Sequence, residues 1–253
     1  MILTRHDWDT ILTSQDADVR LEELQQDGTI RKTFPSLQTL VGFGGGMSGH
    51  KDLWAHTKQV IVQTSPNALY RWMALFHDVG KPQSFSKVGD KITFHHHENA
   101  SANIFKRTAY ETKLFRADEI DEITFVIRHL GHMEAYEPGW TDAAVRRLSK
   151  ELGNHFDAVF AVAIADCTTA RPEKRLSQLK RVNEIKNRIE SVLAQDAVPP
   201  ALPKGLGEAL MQRLDLQPGP GLGNIMRALK ARVEAGELPR NAPIEVYLFA
   251  LKL

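Results

Sequence analysis

The sequence predicts a mainly α-helical fold, a bundle with one short β-hairpin and a small C-terminal helical tail, and three observations lead there. Apolar residues recur at helical spacing through most of the chain, bounded by capping residues and stopped by Gly and Pro. Only residues 88–94, around Gly89-Asp90, read as strand and turn. A stretch at 196–207 containing Pro199-Pro200 and Pro203 separates a main body, 1–195 with an N-terminal helical extension, from 196–253, a linker and small helical domain.

At 253 residues, 42% hydrophobic and 25% charged, the composition is that of a globular chain able to bury a large core. A formal charge of +1 gives no global attraction for nucleic acid. RNA contacts must therefore rest on local patches such as Arg146-Arg147 or Lys174-Arg175. The single cysteine, Cys167, cannot form an intramolecular disulfide, and no apolar stretch has the length of a membrane span or secretory signal. These features lead to the expectation of a cytoplasmic protein with no membrane partner.

The elements follow in order. The run Gly44-Gly45-Gly46-Met47-Ser48-Gly49 lacks the Lys-Ser/Thr of a phosphate-binding loop and reads as a flexible loop. Asp52 caps a helix carrying His56, with Val60 one turn on. Ser65-Pro66 reads as a cap with proline opening the next helix, whose Leu69, Trp72, Met73 and Phe76 bury one face. Gly80 and Pro82 stop it, which places His77 and Asp78 in its last turn. The hairpin delivers His95, His96 and His97 to the start of a further helix. Asp118 caps a helix running through Leu130, and Thr141 followed by Asp142 opens another that ends before Gly153. Residues 158–165 are apolar on every side, the mark of a buried central helix, and end in Asp166. Leu176, Leu179, Val182, Ile185, Ile189 and Val192 lay a stripe along a long helix over 172–195. Trp54, Trp72 and Trp140 read as core aromatics, and Cys167 as packed rather than reactive.

The adjacent His77 and Asp78 carry the most chemistry. An imidazole and a carboxylate at the end of an apolar helix offer two metal ligands, although such a pair also serves as a cap or salt bridge. Asp166 strengthens the metal reading, because a carboxylate ending an apolar helix is expensive to desolvate unless a cation or hydrogen-bond donors compensate.

His56, His77-Asp78 and Asp166, in that order, resemble the HD superfamily of metal-dependent phosphohydrolases, whose pattern is a His, a His-Asp pair and a distant Asp. Four segments are more specific: His50-Lys51-Asp52-Leu53-Trp54-Ala55-His56-Thr57, Phe94-His95-His96-His97-Glu98, Gly139-Trp140-Thr141-Asp142-Ala143-Ala144-Val145-Arg146-Arg147 and Ala165-Asp166-Cys167-Thr168-Thr169. They are similar to the HD region of bacterial tRNA nucleotidyltransferase / poly(A) polymerase family proteins, over roughly residues 37–193 and less clearly over 205–238.

The resemblance implies an HD-domain helical bundle in which His56, His77, Asp78 and Asp166 hold one divalent ion. His97 and His129 stand where dinuclear members supply further histidines, so they either complete a second ion's site or bind phosphate and donate protons. His132, three residues on, can substitute for His129. His96 stands where many relatives have glycine. Lys81 offers an ammonium for a phosphate, against the alternative of a surface lysine, and His96, His132, Arg146, Thr168 and Arg171 are candidate substrate contacts. For Thr168 and Arg171 ordinary capping competes. Imidazoles mixed with carboxylates suit Mn, Fe, Ni or Co better than Mg.

The function expected on this resemblance is divalent-metal-dependent hydrolysis of nucleotide or RNA-terminal phosphoesters, of the 2′,3′-cyclic phosphodiesterase or phosphatase type. Asp78, Lys81, His97 and His129 would be the catalytic groups, and a nucleotide or RNA 3′ end the substrate, with tRNA a further partner. The rivals are a non-catalytic RNA-binding module and half of a split nucleotidyltransferase. No polymerase head, with its Gly-Ser pair and paired Asp residues, is recognisable before His50, so nucleotide addition by this chain is not expected.

Overall fold

The computed structural model describes residues 3–45, 52–89, 91–169 and 171–251. The glycine-rich run beyond Gly45, His50 and Lys51 of the first motif, and Asp90 of the hairpin turn therefore lie outside the described residues. The chain divides into two compact units, residues 1–190 and 191–253.

In the first unit, α1 (Arg5–Thr13), α2 (Ala17–Gln26) and α3 (Thr29–Thr33) form the N-terminal extension. They bury Trp8, Leu12, Leu21 and Ile30 against the bundle. Next come α4 (Leu53–Gln63), α5 (Ala68–Phe76), the antiparallel hairpin of β1 (Phe85–Val88) and β2 (Lys91–Phe94), α6 (His97–Thr112) and α7 (Ala117–His129). A short α8 (Gly131–Ala135), α9 (Asp142–Leu152), α10 (Phe156–Ala165) and α11 (Pro172–Ala197) follow. This mainly helical architecture, with one hairpin among the described residues, is the predicted one.

α5 is the pivot, and its sequence explains why: Trp72 through Phe76 are all fully buried, so every side of its second half meets another element. It packs against α1, α4, α7 and α10. Arg71, also buried, ties it to the extension by donating to the carbonyls of Leu12 and Ser14, and to the end of α4 by donating to that of Thr64. Trp72 donates its indole N–H to Asp9 at 2.6 Å, and Trp54 donates to Glu22 at 3.1 Å. α10 is buried as its composition requires, with Val159, Phe160 and Val162 inaccessible.

Several local expectations hold. Asp52 caps α4 by accepting from Ala55 N at 2.9 Å, and Thr141 caps α9 through Ala144 N. Others are corrected. The cap of α5 is Asn67, whose side chain accepts from Tyr70 N at 3.1 Å, so Ser65 and Pro66 precede the helix. α5 ends at Phe76; His77 is its C-cap and Asp78 lies in the turn beyond. α7 begins at Ala117, with Glu119 accepting from Arg116 N, and Asp118 sits in the first turn instead of capping it. The stripe on α11 is buried at Val182, Ile185 and Ile189, whereas Leu176 is 66% exposed. Trp140 is only half-buried.

The second unit has its own core. α12 (Leu206–Leu214), α13 (Pro220–Glu234) and α14 (Ile244–Ala250) bury Leu206, Leu210, Leu229, Val233 and Tyr247 together. The Tyr247 hydroxyl donates to the Pro239 carbonyl and accepts from Ala242 N. Among the described residues no helix is long and apolar enough to cross a membrane.

One close approach fixes the geometry of the site. α6 passes so near the turn after α5 that a Cβ on Gly80 would stand 2.5 Å from the His97 carbonyl and 2.5 Å from Ser101 N. Both neighbours are backbone atoms of a helix and cannot move alone. Gly80→Ala is therefore expected to destabilise the fold by about 1–3 kcal/mol through overpacking, read as a lower denaturation midpoint, and to separate His97 from Asp78.

Candidate functional site

Three elements and the turn after one of them bring the predicted ligands together. His56 comes from α4, His77 and Asp78 from the end of α5 and the turn beyond it, and Asp166 from the C-cap of α10. His56 Nε2 lies 3.0 Å from Asp166 Oδ1, 3.2 Å from Asp78 Oδ2 and 3.3 Å from His77 Nε2. His77 Nε2 lies 3.5 Å from Asp166 Oδ1 and 3.4 Å from Asp78 Oδ2. His56, His77 and Asp166 each offer a donor atom within 4.8 Å of the others.

The far nitrogen of each ring explains this orientation. His77 Nδ1 donates to the Ala74 carbonyl at 2.7 Å, and His56 Nδ1 pairs with the Thr168 hydroxyl at 2.9 Å. His97 Nδ1 donates to the Phe94 carbonyl at 3.0 Å, leaving its Nε2 3.4 Å from Asp78 Oδ1. With Nδ1 donating to a carbonyl, neutral His77 and His97 turn lone pairs at Nε2 toward carboxylate oxygens, an arrangement that positive charge must reconcile.

The electrostatics agree. Burial alone would push the imidazole pKa values down, but Asp78 and Asp166 outweigh it, raising His56 and lifting His77 to about 10. For His97 burial again acts downward, and the hydrogen bond with Asp78 is what lifts it. Burial would push both carboxyls up, yet the charge of His77 and Lys81 holds Asp78 well below the ordinary range, and the bonds from His56 and His77 do the same for Asp166. A cluster of imidazoles and carboxylates that holds its charges at this depth accepts a proton or a cation, and donors spaced 3.0–3.5 Å apart match a cation with bonds of about 2.0–2.2 Å. The residues fit a divalent metal.

Lys81 is drawn into the same network, its Nζ 2.6 Å from Asp78 Oδ2. Thr168, buried, orients His56, and the loop behind Asp166 is held by Gln63 donating to the Ala165 carbonyl and Arg175 to that of Cys167. A cavity of about 310 Å³ opens on the centre, lined by His77, Asp78, His97 and Asp166 and also by Glu98 and Arg181. Sequence reasoning missed Glu98 and Arg181. Glu98 directly follows the histidine run, which was its legible signal; Arg181 arrives from α11 and had none.

The remaining predicted residues lie elsewhere. His129 bonds to the Phe125 carbonyl and to Glu151, and His132 joins that pair. Arg146 is exposed on α9 and Arg171 exposed just before α11. His96 is exposed in the left-handed backbone region, with φ of 59°. That is a conformation glycine adopts readily.

Residues 56–171 match the family model for the HD domain. The chain is 28% identical to an A-adding tRNA nucleotidyltransferase of Deinococcus radiodurans over 243 residues, 92% of this chain and 54% of that protein. It is 30% identical to a CC-adding tRNA nucleotidyltransferase of Thermus thermophilus over 236 residues, 89% of this chain and 50% of that protein. The chain thus spans about half the length of these relatives.

If His56, His77 and Asp166 hold an ion, removing one donor while keeping the fold must release it. His56→Ala and Asp166→Ala are each expected to lose one tightly held equivalent of Mn, Fe, Ni or Co by elemental analysis, with the helical circular dichroism retained. Unchanged metal content in both variants would exclude this centre.

Proposed function

We propose that the centre catalyses metal-dependent hydrolysis of a nucleotide or RNA-terminal phosphoester, with 2′,3′-cyclic phosphates and phosphomonoesters as the substrate class. One observation carries the reading: the Nε2 atoms of His56 and His77 and the carboxylates of Asp78 and Asp166 converge beside a cavity that adds a cation, Arg181, and an imidazole, His97. A volume of about 310 Å³ is at the small end for ligand pockets and suits a single terminal nucleotide in preference to a duplex.

His56, His77, Asp78 and Asp166 would hold the ion. A divalent ion bound there supplies Lewis acidity, both against phosphoryl oxygens and toward water. Lys81 balances the charge of Asp78 and keeps Oδ2 in place, which leaves Oδ1 toward His97. His97, with Nδ1 committed to the Phe94 carbonyl, carries any second proton at Nε2, where it can be given to a leaving oxygen. The Arg181 guanidinium on the cavity wall suits phosphate oxygens.

The activities of the two relatives support a second reading, an RNA-binding body or one part of a split nucleotidyltransferase, with tRNA as partner. A panel of 2′,3′-cyclic, monoester and diester nucleotides presented to the metal-loaded chain separates the two. Hydrolysis is expected, with Lys81→Ala lowering kcat on the order of 10²-fold while metal is kept, and Asp78→Ala losing both. Inactivity across the panel, with tRNA affinity untouched by Asp78→Ala, would establish the binding reading instead.

A further inference from the structure

A second group of metal-type donors stands on the far end of α7. His129 closes that helix, His132 lies in α8, and Glu151 is in the last turn of α9. Each offers a donor atom within 4.8 Å of the other two. His129 Nδ1 donates to the Phe125 carbonyl at 2.7 Å, and its Nε2 stands 3.1 Å from Glu151 Oε1. With the Nδ1 proton committed, the neutral ring faces the carboxylate with a lone pair, and only a further proton or a cation makes that contact favourable. An ordinary His-Glu ion pair would account for these two residues. It leaves His132 unexplained, since His132 Nδ1 is buried with no hydrogen-bond partner in the structure, at a ring that meets His129 edge-on at 5.3 Å.

We infer that His129, His132 and Glu151 form a second metal site, distinct in its ligands from the HD centre, that takes a zinc-like divalent ion. The chemistry supports that class: two imidazoles and one carboxylate are a donor set that zinc uses with a fourth position open. A tetrahedral ion with bonds of about 2.0–2.1 Å sets its donors about 3.3–3.4 Å apart, and the His129–Glu151 pair is already at 3.1 Å. The surroundings fit as well. Phe125 stacks on His129 at 3.8 Å between ring centres and fixes the plane of the ring, while the Glu151 side chain is half exposed and gives an ion a way in from solvent.

The location gives the site a consequence. Leu130, Gly131 and Met133, which flank the two histidines along the chain, line the cavity beside the HD centre. An ion gripping His129 and His132 from one side and Glu151 from the other pins the wall formed by those residues and ties α9 to the end of α7. It is a brace for the cavity, built from residues that the HD centre does not use.

Cobalt(II) alone is the probe, because both donor sets accept it. The chelator-stripped full chain is loaded, dialysed and analysed for metal, with Glu151→Gln as the principal variant, since that side chain is half exposed and its loss leaves the core untouched. Glu151→Gln and His132→Ala are each expected to hold one equivalent less than the parent chain, whatever the HD centre retains. In the Asp166→Ala background one equivalent should remain, with the visible d–d absorption of a low-coordinate cobalt site and a cobalt-dependent rise in denaturation midpoint; both should vanish on adding Glu151→Gln. Parental stoichiometry in Glu151→Gln and His132→Ala would overturn the second site without touching the first. Loss of metal only in Asp166→Ala would overturn it equally.

Discussion

Burial of a charged pair at the end of α5 is the constraint from which the rest of the site follows. His77 and Asp78 are 3% and 1% exposed, and an ion at that depth costs several kcal/mol unless it is compensated. The compensation comes from every direction. The Ala74 carbonyl takes one imidazole proton, and His56 and Asp166 approach from α4 and α10. Lys81 closes on Asp78 from the turn that α5 itself runs into, and His97 approaches from the head of α6. That last approach requires Gly80 to have no side chain, and the Ser101 hydroxyl accepts the Gly80 N–H at the contact. The path of the chain between residues 76 and 101 is thus shaped by what the doublet needs around it.

The sequence made this organisation readable where the cause was local. Apolar spacing placed α5 and an all-apolar run placed α10, side-chain oxygens at Asp52 and Thr141 capped their helices as their types suggest, and the Gly89 turn made a hairpin. Where two candidates of similar chemistry stood together, residue type was insufficient. Ser65 and Asn67 both suit a helix cap, and it is the Asn67 side chain that accepts from Tyr70 N and caps α5. At α7 the deciding group was Glu119 reaching back to Arg116 N, three residues away, while Asp118 merely looked like a cap. The candidate ligands His56, His77, Asp78 and Asp166 were legible because their order forms a recognisable pattern. Arg181 was hidden because nothing within its own helix marks the side that faces the cavity, and Leu176 misled because a stripe of helical period continues past the point where the protein stops covering it.

The two metal-type clusters obey one physical rule despite their different visibility. His77 gives its Nδ1 proton to the carbonyl three residues earlier, His97 does the same with Phe94, and His129 uses the carbonyl four residues earlier. All three sit at a helix terminus, and there the reason differs with the end. The carbonyls near a helix C-terminus have no N–H of a following turn to meet, so His77 and His129 satisfy orphan groups of their own helices; His97, at the N-terminus of α6, takes a carbonyl from the strand that leads into it.

In each case a local bond decides which nitrogen faces outward before any tertiary partner arrives. The carboxylate then has only to be delivered opposite a lone pair whose direction is already set, which makes a convergent donor set easier to assemble than one whose rings must all be oriented by long-range contacts. It also explains why Asp166 and Glu151, the acids furthest in sequence from their histidines, could come from separate helices while the imidazoles stayed in register. What distinguishes the centres is depth: His77 and Asp78 are buried, whereas Glu151 keeps half of its surface in water, so the first cluster constrains the fold and the second is free to respond to the ions available.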